Sequence, residues 1–271
     1  MKKTHSFRPA FFALPYVVIC AIFVVFPLIL VLVYAFIGAD GSFTFANFAE
    51  VFSPGSGNLM LLLKTIGIAA LTTVICLVVA YPTAMILASA PFNRYAVLAL
   101  LFIIPMWMNF VLRVIALKSL LYLFGISNGF FSMIFGMVYD FFPFMLLPIY
   151  TVLTDMDKSY AEASADLGGN GFVTFVKVTL PLSSGGIVSG ITMVFMPVFS
   201  AYAITGMMGD ATSNVIGGKI NGLFTTTSTW GVGSALSFVL LLLVFLSMFI
   251  SGIATRRTPK AKPGAKGGEA Q

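Results

Sequence analysis

Six long apolar runs, separated by short polar segments, constrain the fold of this chain more than any other feature. The first covers residues 11–36, and a helix of that length reaches roughly 39 Å, enough to cross a bilayer with some tilt. Because backbone groups inside lipid must be paired within the chain, such runs fold as helices. We therefore predict an all-α integral membrane protein with transmembrane helices at residues 11–36, 62–88, 96–122, 130–153, 185–205 and 234–253.

The composition supports a membrane protein and excludes a soluble domain. Of the 271 residues, 59% are hydrophobic and only 9% are charged, whereas soluble domains carry about a quarter charged residues. The net charge of +6 does not indicate nucleic acid, because basic residues in membrane proteins mark cytoplasmic loops. We expect contact with membrane lipid and no nucleic-acid partner. Cys20 and Cys76 lie in separate apolar runs and are interpreted as packing residues.

The sequence divides into three parts. Residues 1–10 carry Lys2, Lys3 and Arg8 and form a short cytoplasmic segment. The apolar run that follows is too long for a signal peptide and is expected to be retained. Residues 11–253 form the six-helix domain, and residues 254–271 form a basic tail that is expected to be disordered.

A polar segment at residues 155–181 separates the fourth and fifth runs. Ser159 and Glu162 have the spacing of a capping box, whose hydroxyl and carboxylate groups pair with backbone N–H groups at a helix start. The sequence predicts a short helix over residues 160–167 that ends at Gly168, since glycine readily adopts the left-handed conformation found after helices. A second short amphipathic piece is predicted at residues 172–178.

The distribution of basic residues places this segment in the cytoplasm. Six spans put both termini on one side of the membrane. With the termini inside, only Lys64, Arg113, Lys118 and Lys219 of the 15 Lys and Arg residues fall on the outer side. An excess of Lys and Arg is typical of cytoplasmic loops. We predict a multi-pass protein of the plasma (bacterial inner) membrane with both termini and residues 155–181 in the cytoplasm.

The same segment carries a motif with specific spacing. It reads EAS at residues 162–164, Gly168 after three residues, and VTLP at residues 178–181 after nine more. The chain thereby resembles the ABC importer permeases, whose EAA motif has this spacing with Ala at position 164 and Ile at position 178. The resemblance implies the type I ABC importer permease fold and a coupling helix that docks on an ATPase subunit. The residues assigned to this coupling are Ser159, Glu162, Ala163, Ser164, Asp166, Gly168, Leu180 and Pro181.

Further stretches narrow the resemblance to the spermidine/putrescine permease branch. They are YPTA at residues 81–84, PMWMN at 105–109 with Arg113, and PFM at 143–145. The resemblance implies four partners besides this chain: a second, homologous permease subunit, two ATPase subunits and an extracytoplasmic solute-binding protein. ATP and Mg are expected on the ATPase. This chain is expected to bind no cofactor and to catalyse no reaction, and its sequence has no G-x-x-x-x-G-K-[ST] phosphate loop.

Asp140 is the side chain with the highest free energy of membrane insertion, since an acid in the middle of a span costs about 2.5–3.5 kcal/mol on insertion scales. Two alternatives are open. Asp140 attracts the ammonium groups of a polyamine together with the aromatic neighbours Tyr139 and Phe142, or it pairs with Arg113 on the third span.

Four other polar or aromatic residues are candidates for the substrate pathway. Trp107 and Asn109 line the pathway or join helices through a hydrogen bond. Tyr202 and Asp210 line the outward mouth, or are an interfacial tyrosine and a solvated loop acid.

Three other functions stay open at this point. The same machinery can import a different solute, such as an iron chelate, an oxyanion or an opine-like cation. A stand-alone secondary transporter or channel would leave the 155–181 segment unexplained. A membrane enzyme would need a cluster of His, Cys or acidic residues, and the chain has a single His with scattered acids.

Overall fold

The computed structural model describes residues 14–38, 40–89, 101–102, 104–210 and 213–256. The predicted cytoplasmic segment at residues 1–10 and the tail from residue 257 onward lie outside these ranges. In chain order the helices are α1 (Leu14–Cys20), α2 (Phe26–Ala35), α3 (Ala46–Phe52), α4 (Asn58–Ala88), α5 (Phe110–Leu123), α6 (Phe130–Asp155), α7 (Ser159–Asp166), α8 (Gly171–Thr174), α9 (Leu180–Leu182), α10 (Ser184–Phe199), α11 (Tyr202–Met208), α12 (Ile216–Leu223) and α13 (Trp230–Arg256).

Short π-helical and 3₁₀ segments join some of these helices. The π-helical turns Ala21–Val25 and Phe175–Thr179 connect α1 to α2 and α8 to α9. The 3₁₀ turns are Pro54–Ser56, Ile104–Trp107 and Thr227–Thr229. The all-α class is thus confirmed over the described residues, where the β-structure is one isolated bridge between Ile37 and Phe43.

Four helices in the described ranges are long and apolar enough to cross a membrane, namely Pro15–Ala35, Asn58–Ala88, Phe130–Asp155 and Thr227–Phe249. A fifth span results if Gly171–Leu182 and Ser184–Phe199, which meet at 63°, are counted together. The six-span count and the side of the termini stay predictions.

The predicted third span, residues 96–122, is interrupted. Its first residues lie outside the described ranges, and the described part has a 3₁₀ turn at Ile104–Trp107 before α5 begins at Phe110. The prediction of one continuous helix is wrong because Pro105 lacks a backbone N–H group and Asn109 caps a new helix. The Asn109 side-chain oxygen accepts hydrogen bonds from the N–H groups of Val111 and Leu112 at 2.9 and 3.3 Å.

The predicted fifth span, residues 185–205, also ends early. Helix α10 stops at Phe199, and Tyr202–Met208 forms the separate helix α11. Two of the segments between the predicted spans contain helices as well: α3 lies between the first and second predicted spans, and α12 lies between the fifth and sixth. In the last span, α13 continues through Arg256, beyond the predicted start of the tail at residue 254.

By their contacts the described residues group into two compact units, one within residues 1–59 and 220–242 and the other within residues 60–219 and 243–271. In the first unit, the Asn47 amide donates hydrogen bonds to the carbonyl oxygens of Ala35 and Ile37, at 3.1 and 2.9 Å. These bonds satisfy carbonyl groups left free at the end of α2. Tyr34 contacts Trp230 edge-on at 5.8 Å.

The second unit is built on the close packing of α6 against α10. Buried methionines of α6, including Met133, Met137 and Met145, are 0% exposed. A Cβ atom on Gly186 would lie 2.7 Å from the Pro148 carbonyl oxygen, and one on Gly190 would lie 2.7 Å from the Met145 sulfur. The two glycines have the G-x-x-x-G spacing that lets membrane helices approach closely. The start of the predicted fifth span therefore packs closely on α6 at Gly186.

Candidate functional site

The polar segment between α6 and α10 begins with a hydrogen-bonded turn. The Asp157 carboxylate accepts a hydrogen bond from the Ser159 N–H group at 2.9 Å, and helix α7 follows at Ser159. The predicted Ser159–Glu162 capping box is wrong, because Ser159 is the first residue of the helix and its N-cap is Lys158, which makes no side-chain cap hydrogen bond. The side-chain bond at this end is the one from the Ser159 N–H group to Asp157, in the turn before the helix. This hydrogen bond lowers the pKa of Asp157, so its carboxylate is charged at neutral pH.

The end of α7 is a glycine-containing Schellman turn. Gly168 has φ +78°, and its N–H group donates to the Ala165 carbonyl oxygen at 2.9 Å. The Gly169 N–H group donates to the Ser164 carbonyl oxygen at 2.8 Å. This pair of bonds satisfies carbonyl groups that a helix end leaves unpaired. The predicted glycine stop is confirmed at Gly168, two residues after the helix ends at Asp166.

Helix α7 is exposed, as are the apolar residues beside its glycine turn. Glu162, Ala163 and Asp166 are all exposed. Leu167 is 90% and Phe172 is 75% exposed to solvent. Sequence reasoning missed these two residues, although two large apolar side chains next to a glycine run in a polar loop are a recognisable signal. Large apolar side chains exposed in a polar segment are residues that a protein partner can cover.

The segment is tied to the following helices by a pair of hydroxyl groups. Ser164 is half-buried, and its hydroxyl lies 2.8 Å from that of Thr174 in α8. Asn170 caps α8 by accepting from the Val173 N–H group at 2.9 Å. Leu180 and Pro181 follow in α9, close to the bend at Ser183. The predicted coupling residues therefore lie along one stretch of short helices.

Within the membrane-spanning part, Arg113 of α5 pairs with Asp140 of α6. The two side chains are only 10% and 6% exposed. Arg113 also donates to the Pro105 carbonyl oxygen at 2.9 Å, in the interruption before α5. Of the two alternatives that the sequence leaves open for Asp140, the structure has the internal ion pair.

An apolar cavity of about 320 Å³ lies beside this pair, between α4, α5 and α6. The predicted pathway residues Tyr139, Phe142 and Arg113 line it. Phe142 packs against Phe102 at 5.8 Å between ring centroids. The structure thus brings three of the predicted residues to one cavity, with Asp140 paired next to it.

The other predicted pathway residues lie elsewhere. Trp107 is 89% exposed, and Asn109 serves as the helix cap described above, a local role that neither predicted alternative included. Tyr202 begins α11 and is 44% exposed. Asp210 accepts a hydrogen bond from the Ser213 hydroxyl at 2.6 Å. Among the described residues, neither Tyr202 nor Asp210 lines the cavity.

Comparison with known proteins gives a family match over most of the chain. Residues 80–260 match the family described as binding-protein-dependent transport system inner membrane component. The chain is 30% identical over 251 residues to the spermidine/putrescine transport system permease protein PotB of Haemophilus influenzae, covering 84% of this chain and 87% of that protein. It is 29% identical over 258 residues to the protein of the same name from Escherichia coli, covering 87% and 93%.

Solved structures with a similar fold are also transporters. One is a bacterial alginate ABC transporter in complex with an alginate pentasaccharide-bound periplasmic protein, with a TM-score of 0.72, 14% identity and coverage of 93% and 95%. Another is the MetNI methionine ABC transporter in an inward-facing conformation, with a TM-score of 0.60, 19% identity and coverage of 74% and 98%. These similarities support the predicted all-helical fold.

Proposed function

The chain belongs to the family of binding-protein-dependent transport system inner membrane components, and on this premise we propose that it carries spermidine and putrescine as a permease subunit of an ATP-driven importer. The observation that supports these solutes is the similarity of the chain to spermidine/putrescine permeases, which covers most of this chain and most of each relative. Family membership makes it a multi-pass inner-membrane subunit and excludes the stand-alone transporter and the membrane enzyme.

The importer acts with three kinds of partner: a permease, an ATPase and a solute-binding protein. In our proposal the second permease is a homologue of this chain and two ATPase subunits bind ATP and Mg. The binding protein delivers the polyamine from outside. This chain contributes half of the translocation pathway and hydrolyses nothing itself.

We further propose that α7 is the element through which ATP hydrolysis drives transport. Its support is physical: a hydrogen-bonded turn at Asp157 precedes α7 and a Schellman turn at Gly168 follows it, so α7 transmits force as one rigid piece. The exposed Leu167 and Phe172 would fill an apolar cleft of the ATPase. The exposed carboxylates of Glu162 and Asp166, four residues apart on one face, would pair with Arg or Lys at its rim.

For the pathway, we propose that Tyr139 and Phe142 offer aromatic faces to a cationic solute at the 320 Å³ cavity. Arg113 lines the same cavity and by itself would repel a polyamine. Its pairing with Asp140 neutralises that charge. The carboxylate then acts on the solute through Arg113.

Reconstitution of the whole importer tests the choice of solute. The permease pair, the ATPase and the binding protein are placed in proteoliposomes loaded with ATP and Mg, and uptake of radiolabelled spermidine is measured with and without excess putrescine. We expect ATP-dependent uptake that putrescine inhibits, and thermal stabilisation of the binding protein by both polyamines. Stabilisation by an iron chelate, an oxyanion or an opine instead, without spermidine uptake, would overturn the polyamine assignment.

A further inference from the structure

The segment that carries α7 joins the membrane-embedded helices at a bend. Gly171–Leu182 and Ser184–Phe199 meet at 63° around Ser183, whose side chain is 0% exposed. We propose that Tyr81 of α4 is a positioning residue that sets this angle through its hydroxyl group, and thereby sets the position of the coupling helix. The proposal rests on the coupling role of α7 proposed above.

One side of the bend is held firmly. Helix α10 packs on α6 through Gly186 and Gly190, where a Cβ atom would meet backbone or buried side-chain atoms of α6 at 2.7 Å. Because the two helices have no room even for a Cβ atom at these positions, α10 can hardly rotate against α6. A change in the bend angle therefore moves the Gly171–Leu182 side, which leads to α7.

That moving side has fewer anchors. In Gly171–Leu182 the described side chains are exposed or half-buried, and none is fully buried. The Ser164–Thr174 hydroxyl pair at 2.8 Å links α7 to this side of the bend, so the two move together. The angle at Ser183 thus determines where α7 lies.

Tyr81 contacts both the bend and the moving side. Its hydroxyl oxygen lies 2.8 Å from the Ser183 hydroxyl oxygen, and its ring meets the Phe175 ring edge-on at 5.7 Å. Ser183 donates its own proton to the Leu180 carbonyl oxygen at 3.1 Å, which leaves Tyr81 as the donor in the hydroxyl pair. Tyr81 is 7% exposed, so water does not easily replace this bond.

The geometry gives the two parts of Tyr81 separate tasks. The ring packs on the moving side of the bend, and the hydroxyl group fixes its vertex. Removing the hydroxyl oxygen alone therefore loosens the angle while keeping the packing.

The test uses the complete importer with Tyr81→Phe and Ser183→Ala, each of which deletes one partner of the hydroxyl pair. Controls of the same chemistry are Tyr122→Phe, whose side chain is 74% exposed, and Ser189→Ala, whose hydroxyl bonds within its own helix to Gly185 at 2.9 Å. The first readout is the number of ATP molecules hydrolysed per radiolabelled spermidine imported. We expect both variants to raise it about fivefold, the factor equivalent to about 1 kcal/mol for one hydrogen bond, and the controls to leave it unchanged.

A second readout follows the angle without any solute. Nitroxide labels are attached through Leu167→Cys and Ile86→Cys, at side chains that are 90% and 57% exposed, in a Cys20→Ser background. We expect Tyr81→Phe and Ser183→Ala to broaden or shift the distance distribution between the labels, and the double variant to match either single variant. An unchanged distribution together with an unchanged ATP ratio would overturn the proposal.

The two readouts also separate this proposal from the proposed function. A parent importer that takes up no spermidine counts against the polyamine assignment, whereas the label distances still report on the bend. Distances that change while the ATP ratio does not would overturn the link between the bend and coupling.

Discussion

Gly168 occupies a position that other residues adopt only with strain. Its φ of +78° lies in the left-handed region, which costs a residue with a side chain roughly 1–2 kcal/mol. Its N–H group closes the turn that ends α7. The glycine is therefore required by the backbone, and its neighbour Leu167 is held fully in solvent by the same turn.

Substituting Gly168→Asp should weaken association with the ATPase by about fivefold or more, because it strains the turn and places a charge beside Leu167. The measurement is co-purification of the ATPase and its titration onto the permease in detergent. Gly125→Asp is the matched control, since Gly125 has a similar φ of +74° in the turn after α5. Equal losses in both variants would show that strain alone, and not the position, is responsible.

The pair formed by Arg113 and Asp140 predicts an asymmetry between single and double substitutions. Asp140→Asn leaves a buried guanidinium without its partner, which should destabilise the protein by about 3–5 kcal/mol. Arg113→Gln combined with Asp140→Asn should recover most of this loss. Thermal unfolding and the yield of assembled complex are the measurements.

Uptake by the double variant then tests whether the Arg113–Asp140 pair acts on the solute. If the double variant is stable and transports spermidine at the parent rate, the carboxylate has only a structural role. If it is stable and inactive, the pair acts in transport. A single variant as stable as the parent would contradict the ion pair itself.

At the scale of single residues, the sequence predicts which residues have a role better than it predicts which residues they contact. It identified Gly168 as the stop of α7, and Arg113 as one of two possible partners of Asp140. It misassigned the start of α7 because Ser159 is a good cap residue by type, whereas the backbone places it inside the helix as the first residue after Lys158. Leu167 and Phe172 were missed since their exposure depends on the turn, which spacing alone does not describe.

At the scale of helices, the packing of α10 on α6 depends on two glycines of α10, which have no side chain to keep the helices apart. Gly186→Ala should destabilise the protein by about 1–3 kcal/mol, because its Cβ would meet the Pro148 carbonyl oxygen at 2.7 Å and backbone cannot easily move. Gly67→Ala in α4 is the control, since nothing lies within 4 Å of its Cβ position and alanine favours helix. Thermal unfolding in detergent should show a lower midpoint for the first variant alone, and equal midpoints would contradict the close packing.

Prediction from apolar runs did not identify the helix breaks or the short helices. The interruption before α5 comes from Pro105 and the Asn109 cap, which sit inside an otherwise continuous apolar run. The short helix α12 begins where the Ile216 N–H group donates to the Thr65 hydroxyl at 2.9 Å. That bond joins residues far apart in sequence, so a local pattern does not contain it.

For the molecule as a whole, the predicted topology puts Leu167 in the cytoplasm and Leu123 outside. Both side chains are highly exposed, at 90% and 82%. In a Cys20→Ser background, Leu167→Cys should react with a membrane-impermeant maleimide only in inside-out vesicles, and Leu123→Cys only in right-side-out vesicles. Labelling of both from one side would refute the six-span arrangement.

The general architecture was predictable because lipid leaves few alternatives. Long apolar runs must become helices, and the spacing of the 155–181 motif identified the family. The bend at Ser183 was not predictable, since it depends on contacts of α10 with α6 and of Tyr81 with Ser183.

The ion pair also bears on how the chain is made. The ribosome completes Arg113 before Asp140, with only the turn between α5 and α6 separating their helices. A lone arginine in lipid is costly, and pairing with Asp140 removes that cost. Insertion of the two helices together, as a hairpin, would therefore be favoured over insertion of α5 alone. For this part of the chain, charge neutralisation adds to apolarity as a driving force for entry into the bilayer.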